Sequence, residues 1–167
     1  LGVALIVALG VMALDSGEGD LALTPGEPEI ASTGQLSDIA ASSNTKPIYW
    51  LGERDGSEYE VTRTRGGRFY LRYLADSAQA GDERPDFITV GTYPSKDGVG
   101  DLREAEETID GAELGRTDDG AILLIDPSSA TSAHLAYPGG DSQIEIYSPV
   151  PGQALRIAKR GDVQPIQ

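Results

Sequence analysis

The clearest alternation of apolar and polar residues in this chain is a hairpin. Its arms are Tyr59–Thr64 and Arg68–Leu74, joined by Arg65-Gly66-Gly67. A two-residue loop at Gly66-Gly67 would set Val61 opposite Arg72 and Glu60 opposite Tyr73. A three-residue loop sets Tyr59 opposite Tyr73, Val61 opposite Leu71 and Glu60 opposite Arg72. The second register matches apolar to apolar and acid to base. One face must be buried, so that register is predicted. Gly67 then takes the left-handed position of a bulged turn.

Other elements follow from similar patterns. Ile48–Leu51 is a short apolar run and reads as an opening strand. A loop from Ala75 to Pro85 leads into Phe87–Tyr93, a strand uncharged on both faces and therefore central. Gly100–Ile109 reads as a short helix with Val99, Leu102, Ala105 and Ile109 on one side, and Asp101 near its start suits the helix dipole. Ala112–Arg116 and Ala121–Asp126 form a second hairpin. Ala133–Tyr137 and Gln143–Tyr147 form a third, whose four-residue loop sets Ala133 opposite Ile146, His134 opposite Glu145 and Leu135 opposite Ile144. A last helix is predicted from Ser148 as N-cap and Pro149 as first residue to Gly161 as stop, with Val150, Ala154, Ile157 and Ala158 facing inward. Repeated hairpins with two short helices imply an α+β fold, a mainly antiparallel sheet with the helices packed on one face. No repeated βα pattern supports a doubly wound nucleotide fold.

The region before these elements differs. Leu1–Leu14 is wholly apolar, between the length of a signal-peptide core and that of a bilayer span, and reads as a membrane anchor or signal segment. The flank after it carries Asp15, Glu18 and Asp20, with no basic residue before Lys46, which predicts that the bulk of the chain lies outside the cytoplasm. Residues 15–46 are rich in Gly, Ser, Thr, Ala and Pro, hold no aromatic residue, and read as a disordered acidic tether. The one element this stretch offers is a short helix around Gly34–Ala41. Residues 47–167 are then the folded α+β domain.

Composition narrows the chemistry. The 167 residues carry 27 acids against 13 bases, a net charge of -14, with no cysteine and one histidine. Such a field repels phosphate backbones, so no nucleic-acid partner is expected. Thiol chemistry and Cys-based metal sites are excluded, and a histidine-rich metal site cannot be built from His134 alone. Any Ser–His–Asp mechanism must use His134, which sits mid-strand opposite Glu145. Gly140-Asp141-Ser142 resembles an esterase block but falls in a hairpin turn with no histidine after it. Gly98-Val99-Gly100 is half of a dinucleotide fingerprint without its third glycine. The acids Asp97, Asp101, Glu104, Glu106 and Glu107 form a solvated helix face without the spacing of a calcium loop. No catalytic residue, metal ligand or cofactor is therefore assigned.

One cluster stands out. Trp50, Tyr59, Tyr70 and Tyr73 lie with Arg63, Arg68 and Arg72 on the first hairpin and its neighbour, concentrating positive charge in an acidic chain. Aromatic and arginine side chains together typify recognition surfaces, and Trp50, Arg63, Arg68, Tyr70 and Arg72 are the candidate binding residues. The competing reading buries the aromatics and pairs the arginines with local acids such as Glu60.

The blocks PIYWLG (47–52), YEVTRTRGGRFYLRYL (59–74), RPDFITVGTYP (84–94) and HLAYPGGDSQIEIYSP (134–149) resemble, in this order, a family of actinobacterial secreted or membrane-anchored proteins of unassigned activity. The resemblance implies an N-terminal apolar segment, a low-complexity tether and an extracytoplasmic domain, and carries no catalytic residue. The expected function is a non-enzymatic, membrane-tethered domain binding a cell-envelope protein or polymer, with the membrane engaged through residues 1–14. The alternatives are a carboxylate-dependent envelope hydrolase and a pilin-like structural subunit.

Overall fold

The computed structural model describes residues 23–45, 47–75 and 78–167. The predicted anchor, and the apolar helix it would form, lie outside these residues. Among the described residues no helix is long and apolar enough to cross a membrane.

The strands are β1 (Pro28–Ala31), β2 (Tyr49–Trp50), β3 (Ser57–Arg63), β4 (Phe69–Ala75), β5 (Ile88–Pro94), β6 (Glu113–Arg116), β7 (Ile122–Ile125), β8 (Ser132–Ala136), β9 (Ser142–Tyr147) and β10 (Gln164–Pro165). The helices are α1 (Thr33–Ser42), α2 (Gly98–Thr108) and α3 (Gln153–Lys159). Eight strands form one antiparallel sheet in the order β1-β3-β4-β5-β9-β8-β7-β6, and β2 and β10 form a separate pair. The α+β class is as expected.

The hairpin registers also follow the sequence pattern. In β3–β4, Tyr59 faces Tyr73, Glu60 faces Arg72 and Val61 faces Leu71. Gly67 has φ 77, the left-handed turn position, where glycine carries no Cβ penalty. In β8–β9, Ala133 faces Ile146, His134 faces Glu145 and Leu135 faces Ile144. Strand β5 is central, between β4 and β9.

These registers sort the sheet into two faces. The first carries Tyr59, Val61, Leu71, Tyr73, Val90, Ile144, Ile146, Leu135 and Leu123, all buried in one core with residues of α1 and α3. The chain segment 48–54 also crosses this face. There Tyr49 N–H donates to Thr92 Oγ1 (3.0 Å), Leu51 N–H to the Tyr73 hydroxyl (2.6 Å) and Arg54 N–H to the Tyr59 hydroxyl (2.9 Å). The second face is covered differently along its width. Over β6–β8, α2 seats Leu102 against Leu124 and Ala136, with Val99, Ala105 and Ile109 beside them, the side predicted for this helix. Asp97 caps α2 by accepting from Gly100 N–H (2.9 Å). Over β3–β4 the cover is the loop 78–87, where Leu74, Ala78 and Phe87 cluster.

Four expectations are corrected. The stretch 15–46 is not a tether over its described part. Strand β1 adds to the edge of β3, and Ala31, Leu36 and Ile39 are buried in the main core. A capping box, Ser32 with Gln35, starts α1. A segment poor in aromatics cannot build a core, but it can cover one that the sheet already supplies.

Ile48–Leu51 does contain a strand, β2, but β1 precedes it and it lies outside the main sheet. Its backbone N–H groups go to side-chain oxygens of Thr92 and Tyr73, and β2 pairs with β10.

The last helix starts at Gln153 rather than Pro149, and Val150 is 51% exposed. Val150 precedes Pro151, which disfavours helical backbone at Val150.

Finally, α2 and α3 sit on opposite faces, because the apolar positions at the β6–β8 end are buried on both sides of the sheet.

Candidate functional site

Among the described residues, the part of the second face between α2 and the loop 78–87 belongs to neither apolar cluster and carries half-buried polar and aromatic side chains. The residues there come from β4, β5, β9 and β8. Tyr70 is opposite Gly91, Gly91 is opposite Glu145, and Glu145 is opposite His134, so one row crosses four strands. Tyr70, Glu145 and His134 are all half-buried.

Gly91 shapes this row. A methyl group there would lie 2.8–3.0 Å from the ring and hydroxyl of Tyr93, two residues along the same face. The missing side chain thus lets the Tyr93 ring lie over the strand. Tyr70 meets that ring edge-on, with centroids 5.8 Å apart and planes at 88°. The exposed Arg68 guanidinium lies 5.7 Å from the Tyr93 ring centre, within cation–π range.

The Tyr93 hydroxyl donates to Glu145 Oε2 (2.6 Å), and the Ser132 hydroxyl donates to Oε1 (2.9 Å). Burial first, then the bond to Glu145, pushes the Tyr93 phenol far above its ordinary range, so it remains a donor at any physiological pH. Among the described residues no cation lies within ion-pair distance of Glu145. Its carboxylate is held by two neutral hydroxyls, and each oxygen keeps acceptor capacity.

The loop that frames the strip is fastened by a buried ion pair. Glu60, 1% exposed, accepts from Arg72 Nη1 (2.8 Å) and from Gly81 N–H (2.6 Å). Arg72 Nη2 donates to the carbonyls of Asp82 (2.6 Å) and Arg84 (3.1 Å). Arg72 and Arg84 both stack on Phe87, at 4.8 and 5.6 Å. At the loop's end, the Tyr147 hydroxyl donates to the Pro85 carbonyl (3.0 Å).

The five residues predicted as one surface are divided by the sheet. Arg68 and Tyr70 belong to the strip. Arg72 shares their face but is consumed by Glu60 and the loop, which is the competing reading of that residue. Trp50 lies on the other side, edge-on to Tyr59 (5.9 Å), where it lines an open groove of about 340 Å³ with Gly34, Ser37 and Pro165. Arg63 faces the same side as Phe69 and donates to the Leu23 carbonyl (3.3 Å). The single recognition surface is thus corrected: odd and even positions of β3 and β4 point to opposite faces. The residues missed, Tyr93, Gly91, Glu145 and Ser132, lie on strands far from the hairpin in sequence.

Another open groove, of about 730 Å³, is bounded by Asn44, Thr45, Pro94, Ser95, Lys96 and Asp141. The other motifs are structural. Gly98 opens α2 where a methyl group would lie 2.5 Å from the Ser142 carbonyl, and Ser142 is itself buried at the start of β9. Among the described residues no group of three or more histidines and acids gathers to hold a metal ion. Compared with protein-family models, curated proteins and solved structures, the chain finds no match.

Proposed function

We propose that this chain is a non-enzymatic, membrane-tethered extracytoplasmic domain that binds a component of the cell envelope, and that it binds through this strip of the sheet. The apolar run at residues 1–14 and its acidic flank support the location. The observation that carries the binding role is the strip itself. Arg68, Tyr70, Tyr93 and Glu145 are ordered by one another and lie between two covered regions, with Arg68 exposed and the other three half-buried among the described residues. Half-exposed aromatic, cationic and acidic groups in fixed positions are what a recognition surface requires.

No observation favours the alternatives. The carboxylates with resolved shifts, Asp82 and Asp126, are both lowered by hydrogen bonds from Arg84 and Ser128, the opposite of a general acid. A long pilin-type helix through residue 40 is interrupted by β1 and by the cap at Ser32.

The test is fractionation and capture. The full chain should be recovered with membranes and be open to protease added outside the cell. Envelope material captured by the wild type should be lost with Tyr93→Ala. Recovery in the cytosol, or capture indifferent to Tyr93, would refute the proposal.

A further inference from the structure

We propose that the occupant of the strip is a neutral polysaccharide, an inference that rests on the binding role above and names its ligand class. Three features argue for it. First, the Tyr93 ring lies along the sheet over Gly91, with Tyr70 standing against it, which provides an apolar floor beside polar groups. A sugar ring has the matching character, with a C–H face and a hydroxyl rim, and aromatic side chains with one apolar body and one polar end suit it.

Second, Glu145 is a fixed acceptor. Tyr93 and Ser132 occupy one acceptor position on each oxygen. A carboxylate has about four such positions, which leaves one on each oxygen for a pair of adjacent hydroxyls. A donor to complement it is Arg68, over the Tyr93 ring.

Third, the charge balance disfavours an anionic ligand. Arg68 and Glu145 cancel within the strip, since Arg72 and Glu60 already cancel each other. The whole chain carries -14, so a phosphate- or carboxylate-bearing polymer meets repulsion on approach. Among the described residues the strip is a run of sheet between α2 and the loop 78–87, which suits a chain molecule lying across it rather than a small ligand enclosed by walls.

The experiment uses the full chain in a detergent that contains no sugar. The probes are neutral oligomers of β-1,4-linked N-acetylglucosamine, β-1,3-linked glucose and α-1,6-linked mannose, with a phosphate-bearing glycan as the anionic comparison. Binding is read by titration calorimetry and by NMR shifts of the strip residues. Saturable binding of a neutral oligomer is expected. Tyr93→Ala and Glu145→Gln should each weaken it about tenfold, equivalent to about 1.4 kcal/mol. Tyr93→Phe keeps the ring and removes one donor to Glu145, so it should fall between. Arg160→Gln, on an exposed ion pair at the end of α3, should bind as the wild type.

Neutral-oligomer binding that ignores Tyr93 and Glu145 would overturn the site. Tighter binding of the anionic glycan would overturn the charge argument. If no neutral oligomer binds while envelope capture still depends on Tyr93, the glycan assignment falls and the binding role stands. If capture also ignores Tyr93, both fall. Self-association abolished by Tyr93→Ala would identify a second copy as the occupant and overturn the glycan.

Discussion

Replacing Arg72 by methionine should be among the costliest single changes on the solvated side of the sheet. The pair it breaks is buried: Glu60 is 1% exposed and has two donors, Arg72 Nη1 at 2.8 Å and Gly81 N–H at 2.6 Å. Methionine keeps apolar bulk against Phe87 but leaves the carboxylate with the Gly81 bond alone. Leaving a buried charge without its partner costs about 3–5 kcal/mol. The carbonyls of Asp82 and Arg84 also lose their donor, but Arg84 is exposed and water can reach that part of the loop. Urea denaturation should therefore show the midpoint falling by about 2 M, for a slope of about 2 kcal/mol/M. Glu60→Leu leaves an arginine that is partly solvated and keeps its two carbonyl acceptors, so its cost should be smaller, about 1–3 kcal/mol. The double variant Glu60→Leu/Arg72→Met removes both charges and should recover most of the loss, to within about 2 kcal/mol of the parent. Hydrogen exchange at 78–87 should quicken in Arg72→Met. A loss under about 1 kcal/mol, or a double variant as unstable as the two single losses added, would refute a buried pair holding the loop.

Other outcomes follow from the same geometry. Leu36→Ala should cost about 2–5 kcal/mol by thermal or urea unfolding, because Leu36 is 1% exposed in the main core; a change near zero would return residues 33–42 to the status of a tether. Gly98→Ala should be severely destabilising, since its methyl would meet backbone at the Ser142 carbonyl, whereas Gly34→Ala meets only Ser32 Oγ at 4.0 Å and should stabilise by about 0.5–1 kcal/mol. Gly91→Ala should displace the Tyr93 ring and cost about 1–3 kcal/mol, visible as a shifted Tyr93 ring resonance and a lower melting temperature. The phenols of Tyr49, Tyr73, Tyr93 and Tyr137 are all raised above their ordinary value of 10.0, first of all by burial. The unfolded chain therefore releases these protons first, so the stability they contribute is complete below pH 10 and is lost as pH rises through the folded-state values. Absorbance of ionised tyrosine should lag behind that of the urea-unfolded chain above pH 10, and a coincident titration would contradict it.

Local pairing was readable because a hairpin's register is set by its own turn and pattern. Glu60 opposite Arg72 and His134 opposite Glu145 both follow from loop length and from setting apolar residues opposite apolar ones. What joins the hairpins was not readable. The β5–β9 ladder sets Gly91 against Glu145, more than fifty residues away, and nothing local to either strand announces that partner. The same holds for β1, whose four residues are too short a run to announce a strand and are ordered by an edge that β3 presents. Composition measures what a segment can bury by itself. It is silent on what a segment can bury against a neighbour, and α1 shows the difference with Leu36 and Ile39.

The candidate site depended on both kinds of information. Tyr70 and Arg68 were identified from the hairpin because aromatic and basic residues gather there, but gathering in sequence ignores the alternation of faces. Arg63 went to the far side for that reason, and Trp50 because β2 pairs with β10 outside the main sheet and sets it against Tyr59. The signal that could have found the rest was present in the strand FITVGTY. A glycine in a central strand marks a place where something must approach the backbone closely, and Tyr93 stands two residues on, on the same face. Gly91 therefore links fold to site. Without a side chain of its own, it lets the Tyr93 ring lie toward β9, where the hydroxyl reaches Glu145. The carboxylate is then oriented by a phenol that stays protonated rather than by a cation that would neutralise it. That leaves a negative acceptor, half-buried and unpaired with any cation among the described residues, beside the Tyr93 and Tyr70 rings. An acidic chain has no electrostatic reason to hold a carboxylate there for stability. The proposed role in holding a ligand's hydroxyl groups would account for its position and for the glycine beneath Tyr93.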